Sequence, residues 1–127
     1  MVPTLTIDGN NFSDFEGFVH EFNINVVGDD RTWTGGFGML NDLLRGGYGT
    51  PEGVFAIEWR HSHKSQKDLG KEATLAWLEA AKDKVHPASR ENWSMQIALM
   101  KQNTGETLFM RVVNIIVLHP RITLILA

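Results

Sequence analysis

The chain has 127 residues, 43% of them hydrophobic, and no cysteine, which suffices for one buried core without covalent staples and excludes disulfide frameworks and thiolate chemistry. Its net charge of -3 is unevenly placed: seven acids stand against the single base Arg31 between Met1 and Leu44, and eleven bases against eight acids in the remainder. An acidic first third argues against nucleic acid as the direct ligand and for a basic protein partner.

In chain order, Leu5 and Ile7 alternate with polar residues and predict a strand from Thr4 to Asp8. A helix is expected from Asp14 to about Asn25, with Phe15, Phe18, Val19 and Phe22 on one core-facing side and Ser13 with Glu16 as a capping box. Gly28 to Gly36 reads as loop. The most informative segment is WTGGFGMLNDLLRGGYG, from Trp33 to Gly49, an aromatic and glycine-rich loop directly ahead of a short helix over about Phe37 to Arg45. There Met39, Leu40, Leu43 and Leu44 fall at helical spacing for burial, Asn41, Asp42 and Arg45 face outward, and Gly46-Gly47 stop the helix.

Downstream, Gly53 to Arg60 is expected as a strand buried on both faces, because Val54 to Ile57 form a continuous apolar run. Helices are expected over Lys71 to Val85, Ala88 to Gln102 and Thr107 to Leu118, although Trp93 to Leu99 also alternates as a strand would. Ile122 to Ala127 closes the chain as a third apolar strand. Helical segments between apolar strands imply right-handed crossovers, hence a single α/β domain over residues 1–127 with a small three-stranded parallel sheet and helices packed against it.

Residue chemistry gives no catalytic constellation. His61 and His63 would share a side if the strand ran through them, but no third metal ligand accompanies them. Neither glycine cluster has phosphate-cradling spacing, and Asp29-Asp30, being sequence neighbours, diverge in space and make poor acid-base partners. No metal or cofactor is expected. The N-terminus MVPTLTIDG lacks a targeting pattern and no apolar stretch reaches membrane-spanning length, so a cytoplasmic location is expected.

The Trp33 to Gly49 segment resembles the barstar-like ribonuclease inhibitors, in which such a loop and helix fill a ribonuclease active site. Ile57-Glu58-Trp59-Arg60 with Ser65 is similar to the family's central strand and following turn, and Arg121 to Leu126 to its closing strand. Thr50-Pro51 sits where the family carries a cis proline. Residues between Gln66 and Asn103 form a helical insertion that a minimal member lacks.

The resemblance implies a non-enzymatic inhibitor that binds a basic ribonuclease or ribonuclease toxin domain 1:1 as a monomer, touching neither nucleic acid nor membrane. It implies Asp42 as the carboxylate placed where phosphate would lie, flanked by Asn41 and Arg45. Trp33 and Phe37 would be aromatic anchors, Gly36 and Gly38 would allow close backbone approach, and Tyr48 would sit at the rim. The biology implied is either immunity against a competitor's toxin or restraint of the cell's own secreted ribonuclease. A general interaction scaffold without a nuclease partner stays open beside it. Three positions depart from the family: Gly38 and Asn114 replace acids and Asn41 replaces an aromatic residue, which points to a partner with a differently shaped or less cationic cleft.

Overall fold

Strand order follows chain order. In the computed structural model, which describes residues 2–28, 31–46 and 49–127, the strands β1 (Thr4–Asp8), β2 (Phe55–Arg60) and β3 (Ile122–Leu126) form one parallel sheet in the order β1-β2-β3. Leu5 pairs with Ile57 and Ile57 with Leu124; Ile7, Trp59 and Leu126 line up likewise. Helices α1 (Phe15–Asn25) and α2 (Phe37–Leu43) lie between β1 and β2. Between β2 and β3 come α3 (Ser62–Asp68), α4 (Lys71–Ala81), α5 (Arg90–Lys101) and α6 (Leu108–Val117). The chain is thus an α/β protein with a small parallel sheet, and the 66–103 region is helical as expected.

Parallel strands added in one direction across a sheet return by right-handed crossovers over the same face. Burial alternates accordingly: Ile7, Phe55, Ile57, Trp59 and Ile122 are buried, whereas Thr4, Arg60, Thr123 and Ile125 on the other face are exposed. The expectation that β2 is covered on both sides is met only at Ala56, which is buried on the second face, while Glu58 is half-buried and Arg60 exposed. Its second face carries Ala56, Glu58 and Arg60, and the Glu58–Arg60 ion pair at 2.5 Å keeps that face polar. Val54 lies outside the strand and is exposed.

The core is aromatic. Phe18 stacks on Trp59 with centroids 5.0 Å apart, and Phe22 meets Trp33 edge to face at 5.2 Å; such pairs add about 0.5–1.5 kcal/mol each beyond burial. α1 starts one residue later than the capping-box reading: Asp14, not Ser13, is the N-cap, its carboxylate accepting the Gly17 amide at 2.7 Å. α3 was not foreseen, because its polar sequence has no apolar period. It is anchored from outside instead, Ser65 Oγ accepting the Trp59 indole N–H at 3.0 Å. Lys64 Nζ meanwhile donates to the carbonyls of Gly9 and Phe12. Gly9 makes this approach possible, since a Cβ there would meet His61 O and Ser65 Oγ at 2.6 Å.

The ambiguous Trp93 to Leu99 stretch is helical. Ile97 and Met100, three apart, are buried, and the Trp93 indole donates to Leu78 O of α4 at 2.7 Å. α4 is tied to α6 by Thr74, whose hydroxyl donates to Gly70 O and accepts the Leu108 amide. The Thr50–Pro51 peptide is trans, unlike the proline suggested by the resemblance. Among the described residues no helix is long and apolar enough to cross a membrane.

Candidate functional site

The loop before α2 is fixed from α1. Asn23 brackets Trp33 with its side-chain amide, Oδ1 accepting the Trp33 N–H at 2.7 Å and Nδ2 donating to the Trp33 carbonyl at 2.8 Å. The Trp33 indole turns inward, 1% exposed, and donates to Gly36 O at 2.8 Å. This overturns the reading of Trp33 as an aromatic anchor for a partner. It is a core residue that sets the height of the loop, and an exposed tryptophan would have left both its ring and its N–H without protein partners.

α2 then displays what the loop positions. Leu40 and Leu43, together with Leu44 just past the last turn, are fully buried and hold the helix down. Gly36, Gly38, Asp42 and Arg45 are exposed, and a Cβ at either glycine would meet nothing within 4 Å. The Asp42 carboxylate is 57% exposed, and among the described residues the one cation beside it is the Arg45 guanidinium at 3.8 Å. A pair so open to water is worth little and does not neutralise the carboxylate. Asn41 departs from the outward reading: it is half-buried, its Oδ1 2.8 Å from His119 Nε2. Desolvation, then Arg121 and Arg45, hold His119 below the ordinary histidine value of 6.5.

The far end of α2 is gripped by Arg121, which the sequence reading placed only in the closing strand. Its guanidinium donates to the carbonyls of Leu44, Pro51 and Gly53 and lies over the Phe55 ring at 5.2 Å. A cation at a helix C-terminus satisfies orphan carbonyls and suits the dipole. Gly46 beside it takes φ +92°, a conformation that L side chains rarely adopt, and a Cβ there would also come within 2.8 Å of that guanidinium.

The acidic third sorts into committed and uncommitted groups. Glu21 is buried and accepts the Asp8 amide at 2.9 Å and the Asn11 side chain. Asp14 caps α1, and Asp8 takes the Asn10 amide and the His61 ring, which hold its carboxyl below the usual range. Among the described residues, that leaves Glu16 and Asp42 as the exposed carboxylates of this third with no such duty. Asp29, Asp30 and Tyr48 lie outside the described residues.

Beside α2 the surface is aromatic. Half-buried Phe37 packs on Phe15 at 6.0 Å and on Trp77 of α4 at 5.3 Å. Arg111 lies over Trp77 at 5.6 Å and donates to Gln96 Oε1, its burial lowering its pKa. Asn114, where the resemblance would place an acid, is exposed but donates to Glu106 Oε2 at 2.6 Å. His61 and His63 are not on one strand face, since β2 ends at Arg60, His61 takes a left-handed turn with φ +54°, and His63 is in α3. No group of three metal-binding side chains occurs among the described residues.

The result is an accessible carboxylate and two bare glycines on a short helix fixed at both ends, bordered by aromatic rings. No family model, curated protein or solved structure matches the chain.

Proposed function

We propose that the chain inhibits a ribonuclease by placing the Asp42 carboxylate of α2 in the phosphate-binding cleft of the enzyme. The observation that carries this reading is the exposure of Asp42 on a helix held down by the fully buried Leu40 and Leu43 and clamped at its C-terminal end by Arg121. A preorganised charge loses little freedom on binding, and a cleft built of arginine, lysine and histidine accepts a carboxylate as it accepts phosphate. Phe37, Gly36, Gly38 and Arg45 frame it; Trp33 supports from beneath and Asn41 is held by His119. The motif resemblance of residues 33–49 to the barstar-like inhibitors supports the same reading. The setting is cytoplasmic, as an immunity protein against a ribonuclease toxin or a restraint on the cell's own enzyme.

Competition tests the proposal. A small basic ribonuclease captured by the purified protein is inhibited stoichiometrically, and a mononucleotide occupying its active site weakens capture. Capture of a nuclease that stays fully active, or capture indifferent to the mononucleotide, contradicts active-site occlusion.

A further inference from the structure

A groove of about 400 Å³ opens beside the α2 loop, floored by Phe15 and Val19 of α1, walled by Trp77 of α4, and bordered by Thr34 and the backbone of Gly35 and Gly36. That is at the small end of ligand-sized clefts, which run from about 300 to 1,000 Å³. One charged side chain lines it, Glu16, and no hydrogen bond or ion pair within the described residues engages that carboxylate. Phe15 and Trp77 meet edge to face, their centroids 6.4 Å apart at an interplanar angle of 68°, so a chain laid across the pair meets two adjoining aromatic surfaces.

We propose that this groove receives an arginine side chain of a basic protein partner, its guanidinium paired with Glu16 and resting on the Phe15 and Trp77 rings. The proposal deepens the inhibitor reading by assigning the partner a second point of contact, on α1 and α4, separate from Asp42. An apolar occupant would strip water from Glu16 and give nothing back, which is costly for a carboxylate. A neutral polar chain would leave the ring faces unused. A guanidinium meets both needs, because it forms charge-assisted hydrogen bonds in its plane and stacks on aromatic rings through its faces, whereas a lysine ammonium is a more strongly hydrated point charge. The chain already shows the preference of this tryptophan: Arg111 rests over the Trp77 ring at 5.6 Å, and Arg111 is not among the residues lining the groove. The wall residue belongs to the helical insertion, so the insertion adds a contact of its own.

The probe is N-acetyl-L-arginine methylamide, with the isosteric but uncharged citrulline amide as its control, titrated against the intact chain while the Trp77 indole and Phe15 ring resonances are followed. The arginine amide is expected to bind about three- to tenfold more tightly than the citrulline amide, the increment of one exposed ion pair with a cation–π contact. Glu16→Gln, a change at an exposed position, is expected to leave the rest of the spectrum unchanged and erase the difference. Equal binding of the two amides, absence of shifts at the groove, or a difference that survives in Glu16→Gln overturns the proposal. No nuclease enters this experiment, so its failure leaves the Asp42 reading standing, and failure to inhibit a ribonuclease leaves the guanidinium groove standing.

Discussion

Gly38 separates what α2 needs for stability from what its surface is proposed to do. It is helical, exposed, and has open space where a Cβ would go, so Gly38→Ala is expected to stabilise the chain by about 0.5–1 kcal/mol in denaturant unfolding. The same methyl group stands on the face offered to the partner and is expected to weaken nuclease binding. Stability and affinity should therefore move in opposite directions. His119 gives a pH signature. Its depressed folded pKa means that the fold prefers the neutral ring, so its contribution is present above 6.5 and is lost as pH falls through the folded value. A protonated ring could still donate to Asn41, and the loss comes from desolvation and from the neighbouring Arg121 and Arg45. Urea midpoints of the wild type should fall relative to His119→Gln as pH drops below 6.5; parallel curves would remove this role. At this scale the sequence was half legible. Helical spacing correctly turned Asp42 outward, but Trp33 looked like an anchor because nothing local announces that Asn23, ten residues earlier, brackets its backbone.

Among the elements, the amphipathic ones were readable and the polar one was not. α1 and α6 carry clear apolar stripes, with Phe18 and Phe22, or Val112 and Ile116, buried at helical spacing. α3 has no stripe and exists through the left-handed turn at His61, the Ser65 bond to Trp59 of β2 and the reach of Lys64 to Gly9, over fifty residues earlier. α5 was ambiguous because a short apolar run fits both periods; its packing on α4 decided it. The join between the insertion and the rest depends on Thr74. Thr74→Val keeps the shape but leaves the Leu108 amide, the first of α6, without its buried acceptor, a loss of about 1–3 kcal/mol. Thermal unfolding should show it, whereas Thr74→Ser, which keeps the hydroxyl, should stay close to wild type. Equal destabilisation by Val and Ser would assign the effect to the methyl group instead.

Across the whole molecule, strand order explains both the covered and the open face of the sheet. The apolar run in β2 suggested burial on two sides, and Ala56 is buried on the second, yet a sheet that grows in one direction has its crossovers on one side only, and Glu58 and Arg60 leave the rest of the other face polar. All the helices that shape the proposed surface therefore gather over one face, α1 and α2 from the first crossover and α4 and α6 from the second. The parallel α/β architecture was legible from apolar segments separated by helical ones. The surface was less so, because Glu16, Trp77 and Arg111 lie far apart in sequence and only the crossovers bring the α1–α2 side against the insertion.

Asp42 carries the proposed inhibition, and the measurement that tests it most directly is the dissociation rate of the complex with a captured ribonuclease for wild type and Asp42→Ala. The side chain is 57% exposed, so the variant is expected to fold as the wild type does. Removing a carboxylate that becomes buried against cations in the complex should cost about 2–5 kcal/mol, seen mainly as faster release with little change in association. Release of Asp42→Ala at the wild-type rate would contradict the proposal that this carboxylate occupies the phosphate site.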